Sequence, residues 1–257
     1  MKKALITGAS KGIGLEISIQ FAKKNYDLIL ISNNQLNLIR AKKKIMSINK
    51  NIDCKIYKCD LSDEKKTIKL FNNIKKTNSI DILINNFGGN HAKSKKNLID
   101  YNNLNQLFKS NILCSYIAIK SFVGQMVKSR WGRVINISSA VNQEFSGELN
   151  YNLVKTAQVN LIKNLSTNIL YLKNNVTFNV VSPGAILTET SKWQKILKNN
   201  PKIFKQIEKK HFPMGFGKAS DVANIVIFLC SENSKYINGA NIVVDGGRIN
   251  FKNSLNS

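Results

Sequence analysis

The sequence lacks long apolar runs. Those it has are short, such as LILI at 28–31 and IVIFLC at 225–230, whereas a helix that crosses a bilayer needs about 18 or more apolar residues. The N-terminal MKKALITG begins with basic residues, but its apolar run ends at Thr7, before a signal-peptide core of useful length. We therefore expect a soluble, cytoplasmic protein with no membrane contact.

Cysteine and histidine are also scarce, with four and two residues respectively. The cysteines form no CxxC pair and stand beside no histidine at a metal-binding spacing; they are Cys54, Cys59, Cys114 and Cys230. This pattern indicates neither a zinc site nor a disulfide framework, so we expect no bound metal and a reducing compartment.

Arginine is rare although the formal net charge is +24. The arginines are Arg40, Arg130, Arg133 and Arg248, and the lysines are spread along the whole chain. Proteins that bind nucleic acid concentrate their cations on one face or stripe. An even spread with abundant Lys, Asn and Ile is more typical of a codon bias, and we expect no nucleic-acid partner.

Short apolar runs do alternate with longer amphipathic segments across all 257 residues. The predicted strands are KALIT, YDLILIS, DCKIYKC, IDILIN, GRVINIS, VTFNVVS and NIVVD. The predicted helices lie near 12–24, 35–49, 62–77, 100–129, 150–173, 192–210 and 219–231. This alternation predicts an α/β fold: a single doubly wound Rossmann domain over 1–257, with a seven-stranded parallel sheet and helices on both faces. The long connection at 184–217 predicts a helical substrate lid at about 188–217.

The first predicted strand runs into TGASKGIG, where Gly8, Gly12 and Gly14 precede a helix. Glycines at such a junction permit a tight turn, and the free N–H groups of the helix N-terminus favour a pyrophosphate. The predicted dinucleotide site therefore includes Gly8, Ser10, Lys11, Gly12, Ile13 and Gly14. A purely structural turn is the alternative interpretation.

The second predicted strand ends in ISNN, without the carboxylate that NAD sites usually place there. Ser32 and Asn33 offer hydrogen-bond donors, and Lys11 offers a cation to a ribose 2′-phosphate. We therefore predict NADP (NADPH) as the preferred cofactor, with NAD possible. Lys11 could instead be one more solvated lysine.

Tyr151 and Lys155 stand four residues apart in a predicted helix, so they share a face. The pair alone is also compatible with two exposed side chains. A cation beside a phenol favours the phenolate, so this spacing predicts a lowered pKa for Tyr151.

From Lys3 to Gly247 the chain resembles the short-chain dehydrogenase/reductase family, and in particular its 3-oxoacyl-carrier-protein reductases. The motifs stand in the family's order: TGASKGIG, CDLSD, NNFGG, KSNILCSY, INISS, the Tyr151 and Lys155 pair, SPGAILTET and INGANIVVDGG. Phe87 in NNFGG departs from the small residue usual in the family.

The resemblance implies a catalytic set of Asn111, Ser139, Tyr151 and Lys155. Tyr151 would be the general acid, Lys155 would bind the nicotinamide ribose, and Asn111 would support a water-linked proton path. The spacing to Tyr151 favours Ser138 as the catalytic serine, whereas the motif register favours Ser139, which we choose. The resemblance also implies cofactor contacts from Asp60, Leu61, Asn85, Gly88, Tyr151, Lys155, Pro183, Gly184, Ile186 and Thr188.

These residues predict an NADPH-dependent oxidoreductase that reduces a ketone or 3-oxo group of a small molecule or acyl thioester. The alternatives are a dehydrogenase of a sugar or other secondary alcohol, and a non-catalytic dinucleotide sensor. The lid's many lysines either face water or steer an acidic substrate carrier. The resemblance further implies a homo-oligomer, a tetramer or dimer, formed by the helices near 100–129 and 150–173.

Overall fold

A computed structural model of the chain describes residues 1–90, 99–143 and 148–248. Its main sheet contains seven parallel strands in the order β3-β2-β1-β4-β5-β6-β9. These strands are β1 (Lys3–Thr7), β2 (Asp27–Ser32), β3 (Cys54–Lys58), β4 (Ile82–Asn85), β5 (Gly132–Ile137), β6 (Val176–Pro183) and β9 (Asn241–Val244). The predicted seven-stranded parallel sheet is confirmed.

Helices cover both faces of this sheet. They are α1 (Gly12–Lys23), α2 (Gln35–Ile48), α3 (Glu64–Thr77), α4 (Tyr101–Phe108), α5 (Cys114–Lys128), α6 (Leu149–Ser166), α7 (Ile169–Lys173), α8 (Lys192–Asn199), α9 (Pro201–His211) and α10 (Ala219–Leu229). In β1, Ala4 and Ile6 pack into the core beneath α1, α2 and α10, whereas Leu5 packs into the core beneath α3, α5 and α6. Because the central strands are buried on both faces, their sequences are almost continuously apolar.

Three predicted helices were too long, because the structure divides each segment; the one predicted at 192–210 is divided at Asn200. A π-helix at Lys109–Leu113 separates α4 from α5 within the predicted helix at 100–129. The predicted helix at 150–173 is interrupted between α6 and α7, where the side chain of Asn168 accepts a hydrogen bond from the N–H of Leu170. A new helix N-cap therefore stands inside what the apolar pattern indicated as one helix.

The predicted lid region contains more regular structure than its sequence indicated. The helices α8 and α9 meet at Asn200, whose side chain caps α9, and Pro201 is the first residue of α9. At the base of this segment, β7 (Ile186–Leu187) pairs in parallel with β8 (Gly217–Lys218). Four aromatic side chains join the helices to the base, with ring centroids between 4.4 and 5.5 Å apart: Trp193, Phe204, Phe212 and Phe216.

The strand order reverses beside β1, which has β2 on one side and β4 on the other. In a doubly wound sheet the loops at the carboxyl ends of these strands diverge and leave a crevice. The glycine loop after β1 and the NNFGG loop after β4 therefore face the same opening.

Within the described ranges, no helix has both the length and the apolar character that crossing a membrane requires. The same residues contain no group of three or more His, Cys, Asp or Glu side chains placed to hold a metal ion.

Candidate active site

The glycine loop forms the floor of the crevice. Gly8 and Gly12 have positive φ angles of 64° and 59°, which L side chains adopt with strain. A Cβ on Gly14 would lie 2.4 Å from the carbonyl oxygen of Gly8, so the start of α1 approaches β1 as closely as backbone allows. The N-cap of α1 is Lys11, whose side chain makes no capping hydrogen bond. The first N–H groups of α1 are thus available to an anion.

A cavity of about 730 Å³ opens beside this loop, at the carboxyl ends of β1, β2 and β4. Its walls bring together seven of the predicted cofactor residues: Gly8, Ser10, Lys11, Ser32, Asn33, Asp60 and Gly88. The hydroxyls of Ser10 and Ser32 are 2.8 Å apart, which joins the glycine loop to the end of β2. Phe87 also lines this cavity and packs against the core beneath α3 and α5. The wall therefore accommodates the larger side chain by burying part of it.

Two predicted contact residues have side chains that do not line this cavity. Leu61 is buried in the core, and its neighbour Ser62 lines the cavity instead. Asn85 is turned into the sheet, where its Nδ2 donates to Asn136 Oδ1 at 2.8 Å. Asn86 faces the cleft in its place and donates to the carbonyl oxygens of Thr7 and Gly8, at 3.0 and 3.1 Å. Asn85 is the last residue of β4, so the alternation of the strand turns Asn86 to the other face, whereas Leu61 and Ser62 lie in the turn between β3 and α3.

A second cavity of about 350 Å³ adjoins the first, since Lys11, Asn86 and Gly88 line both. Nine predicted residues line it besides Lys11 and Gly88: Gly12, Ile13, Ser139, Tyr151, Lys155, Pro183, Gly184, Ile186 and Thr188. Thr190, Ser191 and Trp193 line the lid side of this cavity and were absent from the predicted site, although Thr190 ends the SPGAILTET motif and the other two follow within three residues. The two cavities form one elongated cleft with a glycine-loop end and a Tyr151 end.

Burial and the neighbouring Ser139 determine the pKa of the Tyr151 phenol. Burial raises this pKa to about 12, and the hydroxyl of Ser139 lowers it only partly. The predicted lowering by Lys155 is therefore wrong for the protein without ligand, because burial is the largest influence on the phenol. The phenol is protonated at neutral pH.

Lys155 is almost entirely buried on the same face of α6. Its Nζ donates to the carbonyl oxygen of Ile137 at 3.2 Å and to Gln158 Oε1 at 3.0 Å. It lies 5.7 Å from the centroid of the Tyr151 ring. Burial lowers the pKa of Lys155 to about 7, because the charged form loses its water.

The two candidate serines both line the second cavity but have different partners. Ser138 is buried, donates to the backbone carbonyl of Lys155 at 3.0 Å, and accepts from Asn142 Nδ2 at 3.2 Å. Ser139 is the serine that acts on the pKa of Tyr151. The choice of Ser139 as the catalytic serine stays a prediction.

Asn111 lies in the π-helix and lines neither of the two cavities. Its Oδ1 accepts from the N–H of Gly89 at 3.0 Å and its Nδ2 donates to the carbonyl of Leu107 at 2.9 Å. Its backbone carbonyl accepts from Gln158 Nε2 at 2.7 Å. A glutamine amide thus links the backbone of Asn111 to Lys155, and the water-linked path stays a prediction. Gln158 was missed, although it stands three residues after Lys155 on the same helix.

Comparison with known proteins agrees with this geometry. A family model described as enoyl-(acyl carrier protein) reductase matches residues 8–248. The 3-oxoacyl-[acyl-carrier-protein] reductase of Aquifex aeolicus is 32% identical over 253 residues, which cover 96% of each chain. The chain belongs to the short-chain dehydrogenase/reductase family. It is an oxidoreductase of that family, and the resemblance stated from its motifs is confirmed.

Solved structures of this family share the whole fold. The NADPH-dependent reductase YwfH, involved in bacilysin biosynthesis, is 28% identical with a TM-score of 0.87, covering 96% of this chain and 98% of its own. The L-sorbose reductase of Gluconobacter frateurii, complexed with NADPH and L-sorbose, is 26% identical with a TM-score of 0.86 and covers 96% of both chains.

Proposed function

We propose that this short-chain dehydrogenase/reductase uses NADPH to reduce a ketone or 3-oxo group. The observation that carries the proposal is the placement of Ser139, Tyr151 and the buried Lys155 together on the wall of one end of the cleft. The glycine loop forms the other end. A dinucleotide that spans the cleft would thus place its reactive ring beside a protonated phenol.

The cleft fits such a cofactor. Gly12 lines the cleft opposite Thr188, whose side chain a Cβ on Gly12 would approach to 3.8 Å. The uncapped first turn of α1 suits a pyrophosphate. Ser32 and Lys11 line the cavity at the end of β2, so a 2′-phosphate would meet a hydroxyl and a cation. These features support NADP over NAD.

The residues of the chain would divide the work of carbonyl reduction. When bound, NADPH would supply the hydride. Tyr151 is protonated at neutral pH and donates its proton to the forming alkoxide. Ser139 lies beside Tyr151 and holds the substrate oxygen with its hydroxyl. Lys155 binds the ribose of the nicotinamide and places a positive charge near the developing phenolate.

Two substrate classes are supported by different observations. The similarity to the Aquifex aeolicus 3-oxoacyl-[acyl-carrier-protein] reductase supports a 3-oxoacyl thioester. The hydroxyl-rich lid side of the second cavity, with Thr188, Thr190 and Ser191, supports a sugar or another polar secondary alcohol, as does the similarity to L-sorbose reductase. A non-catalytic dinucleotide sensor remains the alternative outside the enzymes.

We also propose that the chain forms a homo-oligomer through α4 and α6. Apolar side chains on these helices are exposed: Tyr101 by 75%, Phe108 by 46% and Leu153 by 51%. Together with Leu104 and Ala157 they line an apolar groove of about 290 Å³. A second copy related by a two-fold axis would cover this groove with the same surface.

The direct test measures NADPH oxidation by the purified protein with a panel of ketones, ketoses and 3-oxoacyl thioesters. The Tyr151→Phe variant is the control, because it removes the proton donor while leaving the cleft in place. Turnover that is lost in this variant supports a reductase and identifies the substrate class. NADPH binding without turnover on any carbonyl would favour the sensor.

A further inference from the structure

Gln158 lies almost one helical turn beyond Lys155 on α6 and is fully buried, with 0% of its surface exposed. It faces the π-helix at Lys109–Leu113, which packs against α6. A buried amide has one acceptor and two donor hydrogens, and leaving them unpaired is costly. The environment of Gln158 must therefore supply polar partners at both ends of its amide.

Both partners belong to the candidate active site. Gln158 Oε1 accepts from Lys155 Nζ at 3.0 Å, and Gln158 Nε2 donates to the carbonyl oxygen of Asn111 at 2.7 Å. An ammonium only donates and a carbonyl only accepts, so the orientation of the amide is determined by its neighbours. The amide thus bridges the ammonium to the π-helix.

The π-helix explains why the carbonyl of Asn111 is accessible to this bridge. Its ladder is widened, as shown by the N–H of Cys114, which donates to the carbonyl of Lys109 five residues earlier. The carbonyl of Asn111 accepts from two side chains, Gln158 and Ser115, at 2.7 and 3.2 Å. A local irregularity of α4 and α5 therefore provides the fixed end of the bridge.

Among the described residues, the Lys155 ammonium has two hydrogen-bond acceptors, Gln158 and the carbonyl of Ile137, and neither is charged. Tyr151 is the titratable group that faces it from α6, whereas β5 and the π-helix present carbonyl oxygens. Burial lowers its pKa, because the charged form loses its water. The two carbonyl oxygens that accept from the ammonium replace part of that lost solvation.

We infer that Gln158 is a positioning residue, which holds the Lys155 ammonium in place and favours its charged form by bridging it to the carbonyl of Asn111. A carboxamide neither gains nor loses a proton near neutral pH, so Gln158 holds the lysine without relaying protons. The benefit to turnover rests on the proposed function. The bridge itself is a property of the protein without ligand.

The bridge can be tested without any substrate. In ¹³C-lysine-labelled protein, the Cε signal of Lys155 is assigned by its loss in Lys155→Met and followed against pH by NMR. Exposed lysines titrate near pH 10.4, so a buried lysine with a strongly lowered pKa stands apart. The compared variants are Gln158→Met, which keeps the shape and removes both hydrogen bonds, and Gln158→Glu, which keeps the shape and adds a negative charge.

In Gln158→Met the midpoint of Lys155 should fall by about one pH unit, because the ammonium loses an acceptor. In Gln158→Glu it should rise above the wild-type value, because a carboxylate stabilises the ammonium. The matched control is Gln125→Met, since Gln125 also uses both amide ends, with Ile80 and Asn78, on the far end of α5. In Gln125→Met the titration midpoint of Lys155 should equal that of the wild type.

Unchanged midpoints in the folded Gln158 variants would overturn the inference and leave Gln158 as ordinary packing. If Gln158→Met does not fold, Gln158→Glu is tested in its place, and an unchanged titration midpoint of Lys155 in that variant overturns the inference. Where turnover is found, its loss at alkaline pH should begin at lower pH in Gln158→Met and at higher pH in Gln158→Glu. Failure to find a carbonyl substrate would defeat the proposed function and leave the NMR result standing.

Discussion

Two adjacent serines follow β5, and a shift of one residue in the motif decides which of them is the catalytic serine. Both serines line the second cavity with Tyr151. The hydroxyl of Ser138 donates to the backbone carbonyl of Lys155, whereas that of Ser139 is the one that acts on the pKa of Tyr151. A hydroxyl that already donates to a backbone carbonyl serves the structure of the loop, so we expect Ser139 to bind the substrate oxygen.

We therefore expect Ser139→Ala to lower kcat by about a hundredfold, the usual cost of removing one donor to a developing oxyanion. Ser138→Ala should lower the free energy of unfolding by about 1 kcal/mol through its lost hydrogen bonds, with a smaller effect on kcat. Steady-state kinetics and thermal unfolding of the two variants measure both effects. The opposite order of kcat values would show that Ser138 is the catalytic serine.

Cofactor choice is also decided by single residues. Ser32 ends β2 without a carboxylate, and Lys11 lines the same cavity. A partly exposed ion pair contributes about 1 kcal/mol, and the absence of like-charge repulsion adds to it, so NADPH should bind at least about tenfold more tightly than NADH. Lys11→Ala should reduce this preference. Ser32→Asp should reverse it, because an acid at this position bonds the ribose diol of NAD.

Fluorescence titration of both cofactors against the wild type and the two variants measures these preferences. Lys24→Ala is a suitable control, since Lys24 is an exposed lysine at the other end of α1. Equal affinities of the wild type for NADPH and NADH would mean that Lys11 faces solvent and binds no phosphate.

At the level of elements, the strands were predictable and the helix breaks were not. Buried parallel strands such as β2, where residues 28–32 are all buried, appear in sequence as apolar runs bounded by polar residues. The π-helix has no comparable signature, because KSNILCSY continues the helical pattern of its neighbours. Its position depends on packing against α6 and on the carbonyl that Gln158 binds.

The candidate site, like the fold, was predictable in its local motifs and not in its long-range contacts. Motif order located Tyr151, Lys155 and the glycine loop, because each motif needs a particular local geometry. The direction of the Asn85 side chain depends on Asn136, which is distant in sequence. The hydrogen bond of Gln158 to Lys155 depends in turn on Asn111, whose carbonyl holds the other end of the glutamine amide. A local pattern carries no information about such contacts. The same holds for the pKa of Tyr151, which depends on burial by the folded cleft.

The junction of β1 and α1 gives an element-scale prediction. In Gly14→Ala, the new methyl group would lie 2.4 Å from the carbonyl oxygen of Gly8 and must displace the start of α1. We expect NADPH binding to weaken by more than about tenfold, with a loss of about 1–3 kcal/mol in the free energy of unfolding from the overpacked contact. Cofactor titration and denaturant unfolding measure the two quantities.

Gly124 provides the matched control for this substitution. It lies in α5, where a Cβ would meet nothing within 4 Å. Gly124→Ala should raise the free energy of unfolding by up to about 1 kcal/mol through helix propensity and leave NADPH affinity unchanged. If Gly14→Ala behaves like Gly124→Ala, the close approach of α1 to β1 does not matter for the cofactor.

For the whole molecule, a net charge of +24 would drive separate copies apart at low ionic strength. The exposed groove between α4 and α6 is almost entirely apolar, so association through it gains from burial and adds no lysine contacts within the groove. Self-association should therefore strengthen with added salt, which screens the repulsion between the lysine-rich surfaces and leaves the apolar contact unchanged.

We expect light scattering at micromolar concentration to give the mass of a tetramer or dimer of the 28.9 kDa chain. Leu153→Glu places a charge in the groove and should yield monomers. Leu36→Glu is the control, because Leu36 is 66% exposed on α2, away from the groove, and its variant should keep the wild-type mass. The decisive observation is the wild-type protein itself: a monomer at physiological salt would contradict pairing through α4 and α6. Its exposed Tyr101, Phe108 and Leu153 would then be ordinary surface residues.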